Sequence, residues 1–207
     1  MKGFMKPLLT IAALALFIGF ANVSAKADTV SFSTAAQFNN GGGFSSPNSI
    51  TFFNGIGNSL TLMFTGVNST VDTGVGGFTF ASLGEIQTIV QGTGATITPG
   101  TTIQIQITQT VPSAGTGVLN ATLSGVIGQD NSTGQITFTV THVDINGVQY
   151  DVQNNPLALV PPSTNNGVTS IQARITAATA VPEPATLFLL GTGLTGVGAA
   201  LRRRLSK

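Results

Sequence analysis

The chain has 207 residues, no cysteine, no tryptophan, one tyrosine and one histidine, and only 7% of its residues are charged. The lack of cysteine excludes disulfides, thiolate metal sites and cysteine nucleophiles, and a single histidine excludes a histidine-cluster metal site. Seven of the eight basic residues lie in the first 26 or the last six positions, so residues 28–184 set Arg174 alone against seven carboxylates, net −6; a nucleic-acid partner, which needs clustered Lys and Arg, is not expected.

In chain order, Met1–Lys6 carries two lysines, Leu8–Ala21 is an apolar run broken only by Thr10 and Gly19, and Val23-Ser24-Ala25 and Ala25-Lys26-Ala27 follow as small-x-small sites. This is the layout of a secretory signal peptide, and the run is short for a membrane span. Residues 1–27 are read as that peptide, cleaved after Ala25 or Ala27.

Residues 28–176 are read as one secreted β domain. More than half of the body is Thr, Ser, Asn, Gln or Gly. Its apolar residues recur with period 2: Leu60, Leu62, Phe64; Ile103, Ile105, Ile107; Ile136, Phe138, Val140; Ile171, Ala173, Ile175. That spacing belongs to half-buried antiparallel strands. Shorter strands are expected at 30–33, 50–53, 77–80, 87–90 and 118–123, with turns at the Gly, Asn and Pro clusters between them. No segment shows an unbroken helical period. An all-β fold follows, an antiparallel sandwich or jelly-roll-like domain, with phenylalanine supplying core bulk in place of tryptophan.

One hairpin can be placed. Asn146-Gly147 sits between alternating runs and favours a type I′ turn, pairing 145 with 148, 144 with 149, 143 with 150 and 142 with 151. Val143, Ile145, Val148 and Tyr150 then share the inner face. The preceding run puts even positions inside, so a bulge or bend is expected near 141–142. The same pairing sets His142 opposite Asp151, with Asp144 on the same outer face. That cluster is the one place where titratable groups converge on paper. A hydrolytic dyad or a weak cation site would need a nucleophile or further ligands, and no Gly-x-Ser-x-Gly elbow occurs. A solvated surface pair is the reading adopted. No catalytic residue, metal or cofactor is expected.

A linker over 177–181 leads into Val181-Pro182-Glu183-Pro184, which cannot be helical. Ala185–Leu201 follows as 17 apolar or small residues, the lower limit for a span, and Arg202, Arg203 and Arg204 close it as a positive stop. Pro182-Glu183-Pro184-Ala185-Thr186, the apolar run and the arginines together resemble the PEP-CTERM sorting signal, here over 182–207. The resemblance implies an exosortase as partner, recognition at Pro182, Glu183 and Pro184, a transient stay in the inner membrane as an anchored precursor, and release or attachment at the cell surface or in the extracellular matrix. Such proteins accompany exopolysaccharide production. The body, over 59–66, 119–125, 145–150 and 168–175, is also similar to the choice-of-anchor K type of β domain, which implies no activity. The sequence therefore points to a non-enzymatic secreted protein of the exopolysaccharide or biofilm matrix. The alternatives are a carbohydrate- or surface-binding β module, with extracellular polysaccharide as partner, and an extracellular hydrolase, which evenly scattered acids disfavour.

Overall fold

Threonine, valine and isoleucine in strict alternation leave the backbone little choice but extended strands, because branching at Cβ fits the pleat and one face is apolar. The computed structural model describes residues 29–177, apart from 40, 42 and 75, together with Thr192. The signal peptide, residues 178–181 of the linker, Pro182, Glu183 and Pro184, the apolar run other than Thr192, and Arg202–Arg204 lie outside the described residues. No helix among the described residues is long and apolar enough to cross a membrane.

Two six-stranded antiparallel sheets form a sandwich. The first runs β13 (Leu157–Ala158), β10 (Gln135–Phe138), β8 (Gly115–Ser124), β7 (Thr102–Val111), β1 (Thr29–Phe38) and β4 (Asn68–Asp72). The second runs β11 (His142–Ile145), β12 (Val148–Val152), β14 (Val168–Ala177), β5 (Phe78–Gln91), β3 (Ser59–Thr65) and β2 (Asn48–Phe53). A small ribbon pairs β6 (Ala95–Thr96) with β9 (Val126–Ile127). The outer strand at each end of the two large sheets is short, from two residues in β13 to six in β2.

The alternating residues meet between the sheets. Ile103, Ile105 and Ile107 of β7 and Ile136 and Phe138 of β10 are buried, facing Leu60, Leu62 and Phe64 of β3 and Ile171, Ala173 and Ile175 of β14. Each large aliphatic or aromatic side chain removed from water here contributes about 1.5–3 kcal/mol. Polar contacts tie the sheets together. Thr34 Oγ1 donates to the Leu83 carbonyl at 2.7 Å, and Tyr150 Oη donates to Gln109 Oε1 at 2.8 Å, with Phe32 edge-on to the Tyr150 ring at 5.6 Å. Gln109 Nε2 in turn donates to the Ser113 carbonyl at 2.9 Å.

The predicted hairpin is present in the expected register, 145 with 148 through 142 with 151. Asn146 and Gly147 take φ of 52° and 85°, the left-handed pair that a type I′ turn requires. The phase change before it is a bend at Thr139, and its cause is larger than a bulge: between Phe138 and His142 the chain leaves the first sheet and enters the second. Val140, expected inside, lies past the end of β10 and is exposed.

Two expectations require correction. The segments 77–80 and 87–90 are halves of one 14-residue strand, β5. A bulge at Ser82–Gly84 shifts the register against β14 and switches the buried set from odd to even positions, which disguises the strand as two. Gly84 is required there. Its φ is +131°, and a Cβ would lie 2.6 Å from the Phe64 ring. The second correction concerns phenylalanine. Phe32, Phe38, Phe52, Phe64 and Phe138 are core residues, but Phe53, Phe78 and Phe80 face solvent.

Candidate functional site

The faces of the sandwich differ in chemistry. On the outside of the first sheet, β1, β7 and β8 carry an amide ladder in which Gln37 Nε2 donates to Gln104 Oε1 and Gln104 Nε2 donates to Asn120 Oδ1 at 2.7 Å. The register that aligns Gln37, Gln104 and Asn120 makes this possible. No charged residue lies on β1, β7 or β8.

The outside of the second sheet is where charge and exposed aromatics gather. Strand register places His142 of β11, Asp151 of β12, Arg174 of β14 and Phe80 of β5 side by side across four strands. One step along, Asp144, Gln149, Thr176 and Phe78 form the neighbouring row. Phe78 and Phe80 are 40% and 57% exposed, and their rings meet edge to face at 5.9 Å. The Arg174 guanidinium sits 4.2 Å from the centre of the Phe78 ring, a cation–π contact.

Asp151 has a possible partner on each side, and it takes the histidine. His142 Nδ1 lies 2.6 Å from Asp151 Oδ1, with both side chains well exposed at 48% and 38%. Asp144, expected in the same cluster, is used locally: its Oδ1 accepts the Gly147 N–H at 2.9 Å and holds the hairpin turn. The three residues named from the sequence thus resolve into a surface pair and a turn-stabilising carboxylate. Among the described residues, no three His, Asp or Glu side chains group as a metal-binding set, and Arg174 has no carboxylate within 4 Å.

The sequence placed His142 and Asp151 correctly and missed their neighbours. Arg174 was legible as outward-facing, because Ile171, Ala173 and Ile175 alternate with it. Phe78 and Phe80 run against that logic: alternation with Thr79 reads them as inward, and the phase reversal at the bulge leaves them outside. Their adjacency to Arg174 depends on β14 pairing with β5 across some 90 residues of chain, which no local pattern encodes.

A groove of about 580 Å³ lies at the other end of the second sheet, lined by Asn39, Ile50, Phe52, Thr98, Pro99 and Thr101 among others. Two of its polar side-chain atoms are engaged: Asn39 Oδ1 accepts the Thr102 N–H and Thr101 Oγ1 donates to the Thr98 carbonyl.

Comparison with known proteins speaks to the tail. Residues 180–204 match the family model for the PEP-CTERM protein-sorting motif. The chain carries that sorting motif. Pro182, Glu183, Pro184 and Arg202–Arg204 all fall within the PEP-CTERM match, which indicates an exosortase substrate: a protein exported and processed from a membrane-anchored precursor. No curated protein and no solved structure matches the chain.

Proposed function

We propose that the protein is a non-enzymatic component of the cell-surface or exopolysaccharide matrix, delivered there by an exosortase. The PEP-CTERM match at 180–204 is the observation that carries this reading. The body supports it: an acidic β sandwich coated with hydroxyl and amide groups, in which the lone histidine forms an exposed pair with Asp151. In this reading Pro182, Glu183 and Pro184 are the recognised element, Ala185–Leu201 is held for a time in the inner membrane, and Arg202–Arg204 hold the cytoplasmic side. Replacing Pro182, Glu183 and Pro184 by alanine is expected to leave an unprocessed, cell-retained chain, followed by mass spectrometry of the C-terminus and by fractionation. Processing and location equal to wild type would overturn the sorting role.

A second reading, a carbohydrate- or surface-binding β module, is favoured by one observation. Two phenylalanines and the body's only arginine are gathered in contact on an exposed sheet face.

A further inference from the structure

Deepening that second reading, on which it rests, we propose that the row Phe80–Arg174–Asp151–His142, flanked by Phe78 and Gln149, is a binding face for a neutral polysaccharide. A sugar ring offers two chemistries at once. Its axial C–H groups form an apolar face that packs on aromatic rings, and its equatorial hydroxyls donate and accept at the rim. The outer face of the second sheet presents the complement in the same order, an exposed aromatic pair bordered by planar polar groups.

Three features of the row fit this ligand class. First, burying Phe78 and Phe80 inside would have required only the opposite strand phase. The bulge at Ser82–Gly84 sets that phase in β5, so that Phe78 and Phe80 point outward while Ile86 and Val90 point inward. Second, Arg174 is held in place. Its guanidinium lies against Phe78 at 4.2 Å, although Asp151 stands opposite it in register. A guanidinium ordered this way, with no carboxylate within 4 Å among the described residues, keeps its N–H groups for a ligand. Third, Asp151 is held by His142 through one oxygen, Oδ1, and a carboxylate can accept more than one hydrogen bond.

Charge selects between neutral and anionic polymers. The body carries net −6, and Asp144 and Asp151 lie in the rows beside Arg174. A polyanion would be repelled by this body and would meet one arginine on the face. A neutral glycan meets no such barrier, and its binding should be almost independent of salt.

The test is affinity electrophoresis of the full chain in mild detergent, through gels containing hydroxyethyl cellulose, galactomannan, dextran or, as the anionic comparison, alginate. Retardation is expected in at least one neutral gel, unchanged by added salt. Phe80→Ala should weaken it by about tenfold or more, and Arg174→Ala should also weaken it, while Phe53→Ala, an exposed phenylalanine at the far edge of the same sheet, should not. Phe80 is exposed, so its truncation leaves the core intact; coincident thermal melts verify this. Retardation that Phe80→Ala and Arg174→Ala leave unchanged would overturn the assigned face while sparing the carbohydrate-binding reading. No retardation in any neutral gel, or retardation by alginate alone that fades with salt, would overturn both.

Discussion

At the scale of single residues, Tyr150 is held by burial, by a hydrogen bond and by an aromatic contact. It is wholly buried between the sheets, its hydroxyl donates to Gln109, and burial pushes its phenol above the ordinary value of 10.0. The folded state therefore favours the neutral phenol. Its stabilising effect is complete below pH 10 and is lost as the pH rises above 10, because the unfolded chain ionises first; the loss is at most about 1.4 kcal/mol per pH unit. Denaturant melts should weaken above pH 10, and Tyr150→Phe should weaken less steeply there while costing about 1–3 kcal/mol at neutral pH, since Gln109 Oε1 loses its donor. The chain has one tyrosine and no tryptophan, so tyrosinate absorbance in the near ultraviolet reports this group alone. Thr88 offers the reverse case. Its hydroxyl is buried in β5 with no hydrogen-bond partner. Thr88→Val keeps the shape and removes the unpaired group, so thermal unfolding should move upward, by about 1 kcal/mol in stability; a lower melting temperature would contradict this.

At the scale of elements, the packing of β8 against β11 depends on two glycines. A Cβ on Gly117 would lie 2.1 Å from Val143 Cγ1, and one on Gly115 would lie 2.6 Å from Ile145 Cγ2. The two strands belong to different sheets, so these glycines set how closely the sandwich closes at that end. Gly117→Ala should destabilise by about 1–3 kcal/mol through overpacking, and adding Val143→Ala should recover part of the loss, measured by chemical denaturation. Nothing in the sequence around Gly115 and Gly117 announces this contact, which is why the segment 112–117 reads as a turn when β8 already begins at 115. The contrast with the 142–151 hairpin is instructive. There the turn residues, the register and the inward face were all legible, because a two-residue turn makes pairing a local matter. β7 and β3 were legible for a similar reason, each keeping one phase throughout. β5 was not, because its bulge reverses the phase midway. Of the candidate site, the His142–Asp151 pair could be read from the hairpin; its continuation to Arg174 and Phe80 could not, since it rests on long-range pairing.

At the scale of the whole molecule, charge changes with processing. The full chain has net charge +1 and a sequence pI near 8.2, whereas residues 28–184 carry −6. Isoelectric focusing of material recovered outside the cell should therefore show an acidic species, with a basic form only for the chain that keeps both ends. A basic extracellular species would mean that both ends are retained, because loss of either end alone already leaves a net negative chain. So few charges leave a secreted β protein with little electrostatic protection against self-association, and the short outer strands then take on a second meaning. Exposed sheet borders are templates on which identical chains add strand by strand. Here the borders offer two residues in β13, five in β4, four in β11 and six in β2. The two- and four-residue borders give an incoming chain little to copy, whereas β2, six uncharged and mostly β-prone residues with Phe53 exposed, is the border on which a second chain could add.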